Sequence, residues 1–159
     1  MNITLTKVNK NEKKLLNNLM QLYLHDLSLY FPIDFDSKTC QYKYNLETYF
    51  YNNYAYFIKM NNEIVGFILI NKLEEDNYEI SEIFILNNYK NKKIGKKAVN
   101  QIFDIYKGKW QIKVVPSSPK AESFWKKTIS TYTDNNYKLI HTGKYNRAEF
   151  YFDNKTTKI

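Results

Sequence analysis

The sequence predicts a mixed α/β domain whose central sheet is mostly antiparallel and flanked by helices. Three observations predict it. Short hydrophobic runs bounded by turn residues recur along the chain, Ile3–Val8 in alternation and Tyr54–Met60, Ile64–Lys72 and Tyr78–Leu86 as further strands. Apolar residues three and four apart mark helices before and after them. The last third interleaves both patterns, which calls for a strand–helix–strand crossover.

The elements follow in order. Ile3 to Val8 alternates as a first strand. Asn9 or Asn11 can cap a helix running to about Tyr30, with Leu15, Leu19, Leu22 and Leu29 near one face and Leu16, Met20, Tyr23 and Leu27 beside them. Phe31-Pro32 ends it. Residues 33–43 are polar and mixed, and Tyr44 to Tyr51 reads as a short aromatic helix. Strands over 54–60 and 64–72 meet at Asn61-Asn62-Glu63, a hairpin turn, and Glu74-Glu75-Asp76-Asn77 turns into the strand over 78–86. A lysine-rich loop leads into a helix over about 93–106, broken by Gly108. Trp110–Val115 is a strand, and Pro116 to Pro119 opens a helix from Lys120 to about Thr131. Tyr137–Thr142 and Ala148–Phe152 close the chain as a strand pair. With no repeat or linker, residues 1–159 read as one domain, long enough to bury a core without staples.

Composition narrows the function. With 43% hydrophobic and 25% charged residues, the chain is neither disordered nor rod-like. One cysteine, Cys40, excludes an internal disulfide framework and a multi-cysteine zinc site, and two histidines make a histidine metal centre an unexpected reading. The longest apolar run, Val65 to Ile70, is far too short to span a membrane. The first residues lack the basic and apolar blocks of a signal peptide, so a cytoplasmic protein is expected.

The net charge of +8 is unevenly spread. Residues 87–127 hold 11 lysines and two acids, whereas residues 26–82 hold four lysines and ten acids. A nucleic-acid binder more often spreads its cations over a broad face. One compact block suits a compact phosphorylated ligand at least as well, and a solvated lysine-rich surface is the competing reading.

The stretch from Glu82 to Val99 carries the chemistry. An apolar strand, Ile83-Phe84-Ile85, ends in a short polar loop that turns straight into a helix. The first N–H groups of such a helix lack intrahelical partners and sit at the positive end of its dipole, which suits a phosphate or pyrophosphate. Gly95 permits close backbone approach, and the spaced glycines and Lys-Ser/Thr pair of a P-loop are absent.

These residues resemble the GNAT superfamily of N-acetyltransferases. Its signature strand is followed by Arg/Gln-x-x-Gly-x-Gly/Ala, which here reads Lys90-Asn91-Lys92-Lys93-Ile94-Gly95. Its second motif, Asn-x-x-Ala-x-x-x-Tyr, appears as Ser118 through Trp125 with Ala121 in register. The element order matches over nearly the whole chain. Gly108-Lys109-Trp110 and Phe124-Trp125 are similar to a subgroup of bacterial predicted acetyltransferases. Lys93 stands at the first glycine, where it could crowd the pyrophosphate or add a counter-charge. Ser118 stands at the pantetheine-bonding asparagine, and Trp125 at the tyrosine that often protonates the leaving thiolate. Indole supplies no usable acid.

The resemblance implies a GNAT-like sheet and acetyl-CoA as co-substrate. It implies that Ile83, Phe84 and Ile85 pair with pantetheine as an added strand would, one N–H polarising the thioester carbonyl. Backbone groups over Asn91, Lys92, Lys93, Ile94, Gly95 and Lys96 would hold the pyrophosphate, with Lys90 nearby and Ser118 and Trp125 on the next helix. A carboxylate on the central strand commonly assists deprotonation of the amine. Glu82 and Glu79 are the candidates. In a regular strand they face opposite sides, and Glu82 is preferred as the closer to the thioester.

His25, His141 and Cys40 lack partners at a catalytic spacing. Tyr42, Tyr44, Tyr49, Phe50, Tyr51, Tyr54 and Tyr56 form a dense aromatic group that is either an acceptor pocket or a packing face. Asp26, Asp34, Asp36 and Glu47 tilt that region acidic, favouring a cationic amine. The acceptor is expected to be a small-molecule, peptide or protein amine. No membrane partner is expected, nucleic acid is the weaker alternative, and the chain is a monomer or homodimer with its terminal strands as possible edges. A non-catalytic acyl-CoA-binding relative is the rival suggested by Lys93, Ser118 and Trp125.

Overall fold

A computed structural model describes residues 2–51 and 54–155, with Tyr51 described by its backbone alone. Strand β1 (Ile3–Lys7) leads through a single 3-10 turn at Lys10–Glu12 into helix α1 (Lys13–Leu27). The Asn9 N–H donates to Glu12 Oε1 at 3.1 Å, so Asn9 caps the 3-10 turn, while Glu12 takes the N-cap position of α1 itself. Two strands too short to show a sequence period, β2 (Phe35–Asp36) and β3 (Gln41–Tyr42), form a small hairpin within the segment read as irregular. Helix α2 (Glu47–Tyr51) is a single turn or so. Then come β4 (Ala55–Met60), β5 (Glu63–Glu74), β6 (Asn77–Ile85), α3 (Ile94–Ile105), β7 (Lys109–Lys113), α4 (Pro119–Thr133), β8 (Lys138–Thr142) and β9 (Arg147–Asp153).

Seven strands form one sheet in the order β1-β4-β5-β6-β7-β9-β8. Every neighbouring pair is antiparallel except β6–β7, which the α3 crossover makes parallel. This is the mixed, mostly antiparallel sheet expected. No described helix is long and apolar enough to cross a membrane.

The two sheet faces carry separate cores. On one, Ile58, Ile68, Ile70, Tyr78, Ile80, Trp110, Ile112 and Phe150 pack against Ile94, Ala98, Ile102 and Phe103 of α3 and Trp125 and Ile129 of α4. On the other, Phe57, Phe67, Leu69 and Phe84 pack against Leu16, Met20, Tyr23 and Leu24 of α1 and Tyr49 and Phe50 of α2. Gly66 of β5 lets the sheet close at its centre, because a Cβ there would stand 2.0 Å from the Phe84 carbonyl oxygen.

The helical spacing on α1 admitted two faces, and the structure selects one. Leu16, Met20, Tyr23 and Leu24 are buried, whereas Leu15, Leu22 and Leu29 are exposed. The aromatic group also divides. Tyr49 and Phe50 enter the α1-side core, while Tyr56 points to the other core, where its hydroxyl lies 2.5 Å from that of Tyr106. Tyr42 packs on Phe35 and His25 at the hairpin. The Tyr51 side chain lies outside the described residues.

Candidate active site

Strands β6 and β7 pair only over Asn77↔Lys109, Tyr78↔Trp110 and Glu79↔Gln111. Beyond Glu79 no further residues register, although β6 runs on to Ile85 and β7 to Lys113. The sheet therefore splays at its centre and leaves the β7-facing backbone of residues 80–85 without a strand partner. Unpaired strand backbone is a template for an extended amide-bearing ligand. Ile83 and Ile85 turn their side chains to the α3/α4 core, and Phe84 is buried on the α1 side.

At the mouth of this cleft, a 3-10 turn (Asn87–Tyr89) and Lys90 lead to the start of α3. Asn91 and Lys93 both hold left-handed backbone, φ 63°. Left-handed residues at a helix mouth gather successive N–H groups into an anion-accepting concavity. Lys93 adopts this left-handed angle, which a glycine would take without strain, at a cost of about 1–2 kcal/mol. The side chains of Lys90, Asn91, Lys92 and Lys93 are exposed and Lys96 is half-buried, while Ile94 is a buried anchor for α3. A Cβ at Gly95 would sit 3.2 Å from the Phe124 ring, so this glycine also serves the packing of α3 on α4.

Ser118 is the N-cap of α4, its Oγ accepting from the Ala121 N–H at 3.2 Å. Its own O–H remains available as a donor. Trp125 is buried in the α3/α4 core, edge-on to Phe124 at 5.1 Å.

The two carboxylates differ from the regular-strand expectation. Leu69 pairs with Glu82 and Ile70 with Ile80, so Ser81 is the extra residue of a β-bulge. The bulge reverses the alternation. Glu82, cross-strand from Leu69, and Glu79, cross-strand from Asn71, both face the α1 side. They share a face.

Glu82 is largely desolvated. Its Oε1 accepts from the Tyr23 hydroxyl at 2.9 Å, and Tyr44 also hydrogen-bonds to it. Burial raises its pKa above the ordinary glutamate value, outweighing the lowering by the Tyr44 and Tyr23 hydrogen bonds. Burial and the adjacent carboxylate push the Tyr23 and Tyr44 phenols up as well, so both remain donors. Tyr44 lies 3.3 Å from the Tyr49 hydroxyl, which lies 2.9 Å from Ser81 Oγ. Ser81 in turn donates to the Leu69 carbonyl at 3.2 Å, tying the bulge to β5.

Glu79 is held differently. Gln111 donates to one oxygen at 2.8 Å and Asn71 to the other at 3.2 Å. Tyr151 and Glu149 of β9 continue the same polar face, with Tyr151 donating to Glu149 at 2.6 Å. Sequence reasoning missed Tyr23, Ser81, Asn71 and Gln111. Tyr23 sat at core spacing on α1, and its ring is indeed core while its hydroxyl reaches the site. The others needed the strand register.

The remaining candidates stand elsewhere. His25 Nδ1 lies 2.9 Å from the Tyr42 hydroxyl, and His141 Nε2 lies 3.3 Å from Glu122 Oε1. Cys40 is exposed in the turn between β2 and β3. Glu47 pairs with Lys13, and Asp36 accepts from the Lys38 N–H at 2.9 Å. Among the described residues no cluster of His, Cys, Asp or Glu could hold a metal.

The sheet thus splays beside its parallel pair, with the start of α3 at the open end. The chain belongs to the acetyltransferase (GNAT) family, whose model matches residues 16–129. Enzymes of that family use acetyl-CoA as co-substrate. No curated protein matches the chain in sequence. Solved structures share the fold. An acetyltransferase from Thermus thermophilus superposes with TM-score 0.66 at 14% identity, covering 96% of this chain and 97% of that one. PaiA N-acetyltransferase from Thermoplasma acidophilum, in complex with coenzyme A, gives 0.60 at 13% identity over 96% and 99%. Diaminobutyrate acetyltransferase EctA from Paenibacillus lautus, in complex with L-2,4-diaminobutyric acid and coenzyme A, gives 0.64 at 12% identity over 99% and 98%.

Proposed function

We propose that this chain, as a single cytoplasmic domain, is an acetyl-CoA-dependent N-acetyltransferase acting on a primary amine of a small molecule, peptide or protein. The observation that carries the reading is the divergence of β6 from β7 directly beside the desolvated carboxylate of Glu82. Free backbone groups of Ile83, Phe84 and Ile85 would pair with the pantetheine amides. The N–H groups from Asn91 to Lys96 would hold the pyrophosphate, and Lys90, Lys92 and Lys93 add charge around them. Ser118 is free to donate from the head of α4. The residues present fit the co-substrate.

Acetyl-CoA supplies an activated acyl group on a sulfur that leaves as a thiolate. Glu82 receives the proton of the incoming ammonium, and burial makes it a stronger base than an exposed glutamate. Tyr23 and Tyr44 hold that carboxylate in place by donating to it. A strand N–H beside Glu82 would donate to the carbonyl oxygen as negative charge develops there. Nitrogen–carbon bond formation and carbon–sulfur cleavage then occur in one ternary complex. No serine or cysteine nucleophile is needed, and exposed Cys40 is not used. Trp125 takes no proton-transfer part, and the thiolate leaves unaided.

Glu79 and Glu82 on one face favour a cationic amine over an anionic acceptor. A thermal-shift titration with acetyl-CoA, followed by thiol release over an amine panel, tests the reading. Stabilisation by acetyl-CoA together with thiol release from cationic amines is expected. An unmoved melting temperature would refute it. Binding without turnover for any amine would make the chain a non-catalytic acyl-CoA binder, and oligonucleotide binding that coenzyme A cannot compete away would make it a nucleic-acid module.

A further inference from the structure

The chain has one arginine among its 24 Lys+Arg residues, Arg147 at the start of β9. Lysine serves at every other cationic position, so this one alone keeps a planar, permanently charged fork. Its Nε donates to the Val114 carbonyl at 2.7 Å and its Nη2 to the Lys113 carbonyl at 3.3 Å. The Val114 N–H points to β9, where it donates to the Ala148 carbonyl at 2.9 Å. Across that trans peptide the Lys113 carbonyl points the other way, toward the gap left where β6 has parted from β7. The guanidinium therefore straddles the end of β7 and reaches the open side of the cleft.

Strand register places it on the face of Glu82. Arg147, Glu149 and Tyr151 alternate along β9 and share one side. Tyr151 stands across from Gln111, which donates to Glu79, and Glu79 shares its face with Glu82. The two walls of the splayed sheet thus carry opposite charges there, a carboxylate on β6 and a guanidinium over the end of β7. Exposed Lys113, cross-strand from Glu149, adds positive charge to the second wall. The Arg147 charge is felt at Glu82 and at Glu149, lowering the pKa of each.

Neither carboxylate is spent on it. Glu149 accepts from Thr142 Oγ1 and from the Tyr151 hydroxyl, each at 2.6 Å, and Glu82 accepts from Tyr23 and Tyr44. Among the described residues no carboxylate forms an ion pair with Arg147, and no hydrogen bond uses its Nη1. One edge of the fork is anchored to β7, while the Nη1–Nη2 end faces no protein partner. That end matches the two oxygens of a carboxylate.

We propose that the acceptor is an amino acid, its carboxylate held end-on by Arg147 while its amine is presented to Glu82. The inference rests on the acetyltransferase reading above and narrows its acceptor. The ammonium gives its proton to Glu82, the nitrogen bonds to the acetyl carbon, the thiolate leaves, and the acceptor carboxylate is unchanged throughout. A diamine brings its second cation against the guanidinium and is repelled. An acid without an amine has nothing for Glu82 to deprotonate.

The test is thiol release from acetyl-CoA over α- and ω-amino acids, each paired with its own carboxamide, so that the amine stays and only the negative charge is removed. For the best acid, kcat/KM should exceed that of its carboxamide by about tenfold to a hundredfold, the usual worth of hydrogen bonds to a charged group. Arg147→Gln should bring that ratio close to one, chiefly by raising KM for the acid, and Arg147→Lys should retain part of it. A merely structural arginine lowers both members of a pair alike and leaves the ratio intact. If Arg147→Gln fails to fold, the wild-type ratio and Arg147→Lys decide. Carboxamides or diamines that react as well as the acids in the wild type overturn the inference and leave the acetyltransferase reading standing. So does an acid preference that survives Arg147→Gln, because the carboxylate is then read elsewhere. Absence of thiol release from every amine, acid and amide alike, overturns both.

Discussion

Replacing Tyr23 by Phe removes one hydroxyl and little else. The ring stays in place between Phe67 and Phe84, whose centroids lie 5.7 and 5.8 Å away. What is lost is the 2.9 Å bond donated to Glu82 Oε1. A hydrogen bond to a charged group contributes about 1.5–3 kcal/mol, and the bond stabilises only the ionised carboxylate. Losing it shifts the ionisation equilibrium of Glu82 by roughly ten- to a hundredfold toward the protonated form. Burial already raises this carboxyl's pKa, so the variant moves it further in the same direction. If Glu82 takes the proton from the amine, the acid limb of kcat/KM for acetyl transfer moves to higher pH in Tyr23→Phe. Activity on the alkaline plateau stays near wild type, because the remaining base is stronger. The assay is thiol release against pH with saturating acetyl-CoA. Superimposable acid limbs, or a loss uniform at every pH, would refute the coupling between Tyr23 and Glu82.

Three further substitutions test neighbouring parts of the site. Glu82→Gln should lower turnover by about 10²–10⁴-fold, the usual contribution of a positioned base. The same variant should be more stable than wild type at neutral pH. A carboxyl with a raised folded pKa contributes stability below its unfolded pKa and loses it as pH rises through the folded one, so the advantage of glutamine should vanish in acid; melting curves at both pH values read it. Gly66→Ala drives a Cβ to 2.0 Å from the Phe84 carbonyl and must part β5 from β6. About 3 kcal/mol of destabilisation is expected, a fall in melting temperature of roughly 6–12 °C, with acetyl-CoA binding weakened because the displaced strand is the one proposed to pair with it. Ser118→Ala removes the cap bond to the Ala121 N–H and should cost about 1 kcal/mol, and calorimetry with coenzyme A should show weaker binding if the hydroxyl also donates to the ligand.

Much of this arrangement was legible in the sequence because it is local. The strand runs, the turn at Asn61-Asn62 and the helix entry before Pro119 each depend on a few adjacent residues, and every element except β2 and β3 lies within a few residues of its expected bounds. The start of α3 was legible too, since a strand, a short polar loop and a helix opening at Ile94-Gly95 form a contiguous pattern. What could not be read was set by partners far along the chain. The side of Glu79 relative to Glu82 depends on the pairing of β6 with β5, where one inserted residue changes the phase. Seven aromatics between Tyr42 and Tyr56 looked like one group, but α2 and β4 send Tyr49 and Tyr56 to opposite faces of the sheet. On α1 two leucine-bearing faces competed for the core. The face with Leu16, Met20, Tyr23 and Leu24 is the one buried, and the Tyr23 ring fills the apolar layer while its hydroxyl reaches Glu82.

The bulge at Ser81 links these observations into one cause. Were β6 regular, residues 78, 80, 82 and 84 would share a face, and Glu82 would project into the α3/α4 core between Ile80 and Phe84. That core offers it aliphatic neighbours such as Ile112 and Ile94, and Tyr23 and Tyr44 lie on the other face. An ionised carboxylate there would cost several kcal/mol, and the group would simply stay protonated. Inserting one residue turns Glu82 to the face where Tyr23 and Tyr44 can donate to it, and returns Ile83 and Ile85 to the apolar side. The extra residue brings its own polar side chain, which bonds to the Leu69 carbonyl and to Tyr49. The bulge lies where β6 begins to leave β7, and bulges increase local twist. A single irregularity thus aims Glu82 at its tyrosine donors, satisfies its own polar side chain and lies where β6 parts from β7.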